Sequence, residues 1–134
     1  MRTADQFAVD LVVLPSRRSA RVTHVVETSS AGASAHVHIV TVGNLVGSFR
    51  LLRDRGFWVY GAHLDGERVD TMDAPERVAL VLGSEGRGLS ALVRDRVDSL
   101  VRIPTSGHVD SLNVSVAAGI LLYEIRRKHG RLGA

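Results

Sequence analysis

Between Val114 and Tyr123 the chain is apolar on almost every face, and this run constrains the fold more than any other stretch. A surface helix of a globular domain carries a single apolar stripe. A helix wrapped in Val, Ala, Ile and Leu has to be covered on more than one side, so it is expected to pack against its own sheet and against a second subunit. Ser111 and Asn113 just before it are good N-cap residues, whose side chains accept from the first unsatisfied N–H groups. Further upstream, Leu100 to Ile103 reads as a short strand stopped by Pro104, which has no N–H to give a ladder. The polar loop 104–113, delivered onto the N-terminus of a buried helix, is a natural ligand site.

Four other apolar runs precede that unit. Asp10 to Leu14 closes at Pro15, His36 to Thr41 reads as a second strand, Phe57 to Tyr60 as a third ending in Gly61-Ala-His63, and Arg77 to Leu82 as a fourth. Helical stretches lie between them. Arg2 to Ala8 reads as the tail of a helix and Val22 to Ser30 as a short one; Leu45 to Arg55 is capped by Asn44 and stopped by Gly56, and Ser90 opens another to about Arg96. Leu64 to Pro75 is a turn-rich connection. Strands alternating with helices over short loops predict a three-layer α/β fold with a mainly parallel sheet, one domain over residues 1–134.

A chain of 134 residues, 45% hydrophobic and 23% charged, can bury one core without staples. It has no cysteine, which excludes disulfides, thiolate chemistry and Cys-based zinc sites. Nothing resembles a signal peptide and no apolar run spans a bilayer, so a cytoplasmic location and no membrane partner are expected. Net charge is +3, but the pI near 10.2 reflects an excess of arginine and suits a polyanion. Aromatics at 4% argue against a base-stacking platform of the RNA-recognition-motif kind.

Parallel sheets bind ligands beyond the carboxyl ends of their strands. Three loops belong there: Gly61-Ala-His63, Gly83-Ser-Glu-Gly-Arg-Gly88 and Pro104 to Asn113. The middle loop is neither a P-loop, lacking the Lys-Ser/Thr, nor a dinucleotide fingerprint, with glycines at 83, 86 and 88. Such a loop can be only a tight strand-to-helix turn, but an acid amid glycines, Glu85, points to a specific hydrogen-bonding role.

Val81-Leu-Gly-Ser-Glu-Gly-Arg-Gly-Leu89, with Ile103-Pro104 and Ser111-Leu-Asn-Val-Ser-Val116, resembles the last two motifs of the SpoU (TrmH-like) RNA ribose 2′-O-methyltransferases, a branch of the SPOUT superfamily. Arg2-Thr-Ala-Asp-Gln-Phe-Ala-Val-Asp10 resembles the second half of that family's first motif. Pro15-Ser-Arg-Arg-Ser-Ala20 is similar to a loop of the branch that methylates a guanosine of large-subunit ribosomal RNA. The resemblance covers essentially the whole chain. It implies a C-terminal trefoil knot, S-adenosylmethionine as methyl donor with S-adenosylhomocysteine as product, and a homodimer packed through the C-terminal helix. The substrate it implies is RNA, ribosomal RNA ahead of tRNA. The donor would lie against Leu82, Gly83, Ser84, Ile103, Pro104 and Leu112, bordered by Gly61 and Ala62. Arg2, Glu85, Ser111 and Asn113 match the catalytic positions, Arg2 as base, as partner of the base or as holder of the target phosphate. The first motif's asparagine, the fold's first strand and that branch's N-terminal RNA-binding domain would all precede Arg2.

The alternative reading is a non-catalytic, dimeric RNA- or nucleotide-binding module that keeps the donor fold. Arg17, Arg18 and Arg21 are candidate RNA contacts or a solvated loop. His36 and His38, two apart on one strand, could pair on a metal but lack a third ligand, so no metal site is expected. His63 and His108 fall in the ligand-side loops. Arg126 to His129 meets the last helix dipole, and Trp58 is read as core packing.

Overall fold

The computed structural model describes residues 2–16, 37–84, 87–107 and 112–133. The expected Val22–Ser30 helix lies outside them, as do Arg17, Arg18, Arg21, His36, Glu85, His108 and Ser111. The chain forms two compact units, residues 1–48 and 49–134.

In the first unit, α1 (Arg2–Gln6) buries Ala4 and leads into β1 (Leu11–Pro15). That strand pairs in parallel with β2 (His38–Val42), Leu11 opposite His38 and Pro15 opposite Val42. Proline is tolerated at the strand's last position because the ladder continues from Ser16, whose N–H donates to the Val42 carbonyl at 2.7 Å. The second strand starts two residues later than its apolar pattern suggests. Helix α2 (Leu45–Asp54) begins here and has its residues from Phe49 on in the second unit; the Asn44 carboxamide oxygen accepts from Gly47 N–H at 3.1 Å as expected of a cap.

The second unit holds a parallel sheet in the order β4-β3-β5, built from β3 (Trp58–Arg68), β4 (Val78–Val81) and β5 (Ser99–Arg102). Helix α3 (Ala91–Arg96) is capped by Ser90, whose hydroxyl accepts from Val93 N–H. Helix α4 (Val114–Lys128) closes the fold. Tyr60, Val69, Met72, Val101, Leu121 and Ile125 form the buried cluster, so one face of α4 packs on the sheet. Its Val116, Ile120 and Tyr123 remain 37–50% exposed. Asp98 locks the strand starts together: its carboxylate accepts from Val59 N–H at 2.7 Å and from Arg53 Nε on α2 at 2.9 Å.

Two expectations are corrected. The third strand does not end at His63, since β3 runs on to Arg68 through part of the predicted turn region. There Glu67 and Arg68 oppose Val101 and Arg102, so Val101 faces both Ala62 and Glu67, and Val69 N–H donates to the Arg102 carbonyl at 3.0 Å. Gly66 allows this approach, because a Cβ there would overlap the β5 backbone. Trp58 is not core packing. It is 45% exposed on the first residue of β3, and its indole N–H donates to the Ser99 hydroxyl at 3.0 Å.

Candidate functional site

The loops after β4 and β5, the middle of β3 and the start of α4 line one cleft of about 640 Å³, within the roughly 300–1,000 Å³ of small-molecule sites. Two of the three predicted loops contribute as loops, while Gly61-Ala-His63 lies inside β3. β3 supplies Ala62, His63 and Leu64; the glycine loop supplies Leu82, Gly83, Ser84, Arg87, Gly88 and Leu89; β5 and its loop supply Val101, Arg102, Ile103, Thr105 and Gly107. Leu112, Val114, Ala117 and Leu121 add the start of α4, and Leu121 is also a core residue, so the cleft floor is the core itself.

The glycine loop folds back on itself. Ser84 and Gly88 form an antiparallel bridge, and the Ser84 carbonyl accepts from Arg87 N–H at 3.2 Å and Gly88 N–H at 2.9 Å. Two of its glycines are required by geometry. A Cβ on Gly83 would overlap the Gly88 carbonyl group, and Gly88 has φ +67°. Gly61 does not line the cleft but underlies it, since a Cβ there would come 2.8 Å from the Leu89 side chain. Pro104 is likewise a backing residue, between Ile103 and Thr105, which do line the cleft.

The polar lining is one-sided. No aspartate or glutamate lines the cleft among the described residues, while Arg87 and Arg102 do. His63 is half-buried there, and its Nδ1 accepts from Asp65 N–H at 3.0 Å. In the neutral ring Nε2 therefore carries the hydrogen. The neighbouring acid, Asp65, is engaged by Arg94 at 2.6 Å.

Of the predicted catalytic residues, Asn113 sits beside the cleft as the N-cap of α4, its carboxamide oxygen accepting from Ser115 N–H at 2.8 Å. Arg2 is exposed on α1 of the first unit. Of the predicted donor contacts, Ala62, Leu82, Gly83, Ser84, Ile103 and Leu112 meet in the cleft. Arg87, Arg102 and Thr105 were not singled out from sequence. The signal for Arg87 was its place inside the glycine loop, and the other two flank Ile103-Pro104.

A parallel α/β arrangement whose cleft lies beyond β4 and β5 and against β3 defines a ligand-binding class of fold. Within that class the chain belongs to the SpoU rRNA Methylase family, whose family model matches residues 1–123. It is 43% identical over 129 residues to an uncharacterised tRNA/rRNA methyltransferase of Borreliella burgdorferi, covering 96% of this chain and 57% of that protein. Its fold matches that of a Porphyromonas gingivalis protein assigned to the TrmH family of RNA methyltransferases, with a TM-score of 0.83 and 39% identity over 95% of this chain and 52% of the other. It also matches an rRNA methyltransferase from Sinorhizobium meliloti solved with AdoMet bound, at a TM-score of 0.76 and 28% identity over 99% of this chain and 50% of that one. The chain thus spans about half the length of these three proteins. Parallel strands with flanking helices, expected from the sequence, are the shared architecture.

Proposed function

We propose that this chain transfers a methyl group from S-adenosylmethionine to a ribose 2′-hydroxyl of RNA, with ribosomal RNA as substrate ahead of tRNA. The observation that carries the reading is the convergence of the two motif loops after β4 and β5 on one cleft against the middle of β3. The donor set fits the cofactor. Leu82, Leu89, Ile103 and Leu112 offer an apolar slot for adenine, the loop backbones offer polar partners, and Arg102 suits a carboxylate. When bound, S-adenosylmethionine supplies the electrophilic methyl group. The residues assigned to holding it are Ala62, Leu82, Gly83, Ser84, Ile103 and Leu112, with Gly61 and Pro104 beside them in the chain.

A ribose hydroxyl is a weak nucleophile, so its oxygen must be held in line and its proton removed as the new C–O bond forms. We assign that work to Arg2, Glu85, Ser111 and Asn113. Arg2 holds the target phosphate, because a guanidinium does not readily give up a proton. The Asn113 amide, fixed by its capping bond, orients the ribose. The exposed Val116, Ile120 and Tyr123 face of α4 supports a homodimer through that helix. RNA contacts at Arg17, Arg18 and Arg21 belong to the same reading.

The test is transfer of labelled methyl from S-adenosylmethionine to ribosomal RNA and to tRNA, followed by alkaline hydrolysis. Label in alkali-resistant dinucleotides of ribosomal RNA is expected, because a methylated 2′-oxygen cannot attack the adjoining phosphate. Label in mononucleotides would contradict ribose transfer, and label confined to tRNA would contradict the substrate preference.

A further inference from the structure

We infer that Arg87 binds a phosphodiester of the substrate RNA and lays the strand across the mouth of the cleft, an inference that rests on the RNA methyl-transfer reading above. Six other arginines are engaged. Arg53, Arg68, Arg94, Arg127 and Arg131 pair with Asp98, Asp70, Asp65, Glu124 and Glu76, and Arg77 donates to the Arg55 carbonyl at 3.0 Å. Arg87 has no such bond to any described residue, yet it lines the cleft, in a wall where no described residue is acidic. A cation on a wall whose described lining is otherwise free of acidic groups attracts anions.

Its mounting is stiff. The Ser84–Gly88 bridge and the two bonds to the Ser84 carbonyl fix the Arg87 backbone, so contact costs only side-chain freedom. Its depth selects the anion. Arg102 is half-buried at the end of β5, within reach of a small ligand's carboxylate, whereas Arg87 is exposed at the rim. A rim cation meets a macromolecule, and a guanidinium suits the paired oxygens of a phosphodiester. Thr105 at the same rim, and the protonated nitrogen of His63, are donors as well.

The test compares wild type with Arg87→Ala, Arg87→Lys and Arg96→Ala, the last an exposed α3 cation outside the cleft. S-adenosylhomocysteine affinity is measured by calorimetry. Affinity for a fluorescein-labelled RNA oligonucleotide is measured against salt. Arg87→Ala is expected to weaken RNA binding roughly three- to tenfold and to lower the salt slope by about 0.7, the value for one lost single-strand phosphate contact. S-adenosylhomocysteine affinity should not change. Arg87→Lys should keep the slope and recover part of the affinity, and Arg96→Ala should match wild type. Equal losses for Arg87→Ala and Arg96→Ala would overturn the assignment in favour of general charge. Loss of S-adenosylhomocysteine affinity with RNA binding intact would overturn it in favour of the donor carboxylate. A wild-type chain that binds RNA but not S-adenosylhomocysteine defeats the methyl-transfer reading instead, and the salt slope of Arg87→Ala still decides the role of Arg87.

Discussion

Ala8 stands with φ at 53°, a conformation that costs an L-residue about 1–2 kcal/mol. Its N–H donates to the Asp5 carbonyl and Val9 N–H donates to that of Ala4, the paired bonds of a Schellman helix end. α2 and α4 end on the same pair of bonds with glycine in the equivalent place, Gly56 at φ 86° and Gly130 at φ 70°. Ala8→Gly is therefore expected to stabilise the chain by about 0.5–1 kcal/mol, the relieved strain exceeding the extra freedom of glycine in the unfolded state. A urea midpoint that rises with unchanged slope would agree, and a fall would contradict it. This scale was the most legible in the sequence. Gly56 as a stop and Asn44 and Asn113 as caps all follow from bonds within a few residues. Ala8 was not legible, because nothing about an alanine announces a left-handed position.

At the scale of elements, α4 is held at both ends. Its N-cap, Asn113, has a structural duty and a proposed chemical one, and two substitutions separate them. Asn113→Ala should cost about 1 kcal/mol of stability through the lost cap. Asn113→Ser should keep most of that stability yet still lose methyl transfer; full activity in Asn113→Ser would remove the amide from the proposed mechanism. Near the other end, the hydrogen bond from Arg127 holds the Glu124 carboxyl below the usual glutamate range, against the opposing effect of burial. Asp70 is held down in the same way by Arg68. A depressed folded-state value means the contribution is present above the unfolded pKa and is lost as pH falls through the folded one. Glu124→Gln should then flatten the acid limb of urea midpoint against pH below about pH 5, with solvent keeping the effect modest. An unchanged acid limb would show that the pair contributes nothing.

Elements were less legible than residues. Three or four residues of each strand were visible as an apolar run, but the far half of β3 reads Leu-Asp-Gly-Glu-Arg and looks like a turn. It is a strand because β5, more than thirty residues later, lies against it, with Gly66 permitting the contact. Trp58 was misjudged for a related reason. Side-chain type marks a strand, but which face is covered depends on what packs there, and its indole found Ser99 at the sheet surface.

At the scale of the molecule, two features reach beyond a single copy of the chain. One is the exposed face of α4, whose Val116 and Tyr123 are about half exposed while Leu121 and Ile125 close the core. The sequence marked this helix as apolar all round, and one chain covers only part of it. Replacing Val116 and Ile120 together by glutamate should convert a dimer to a folded monomer in light scattering; a wild-type chain already monomeric at working concentration would contradict the assembly.

The other is the cleft, on which the functional account depends. Calorimetric binding of S-adenosylhomocysteine to the 134-residue chain, beside a Leu112→Arg variant, tests it most directly. Leu112 lines the cleft and is 41% exposed, so an arginine there obstructs the apolar slot without disturbing the core. Saturable binding of one molecule per chain, lost in a variant that melts at the wild-type temperature, is the predicted result. No binding by a folded wild-type chain, or equal binding by the variant, would contradict the assignment of the donor to this cleft.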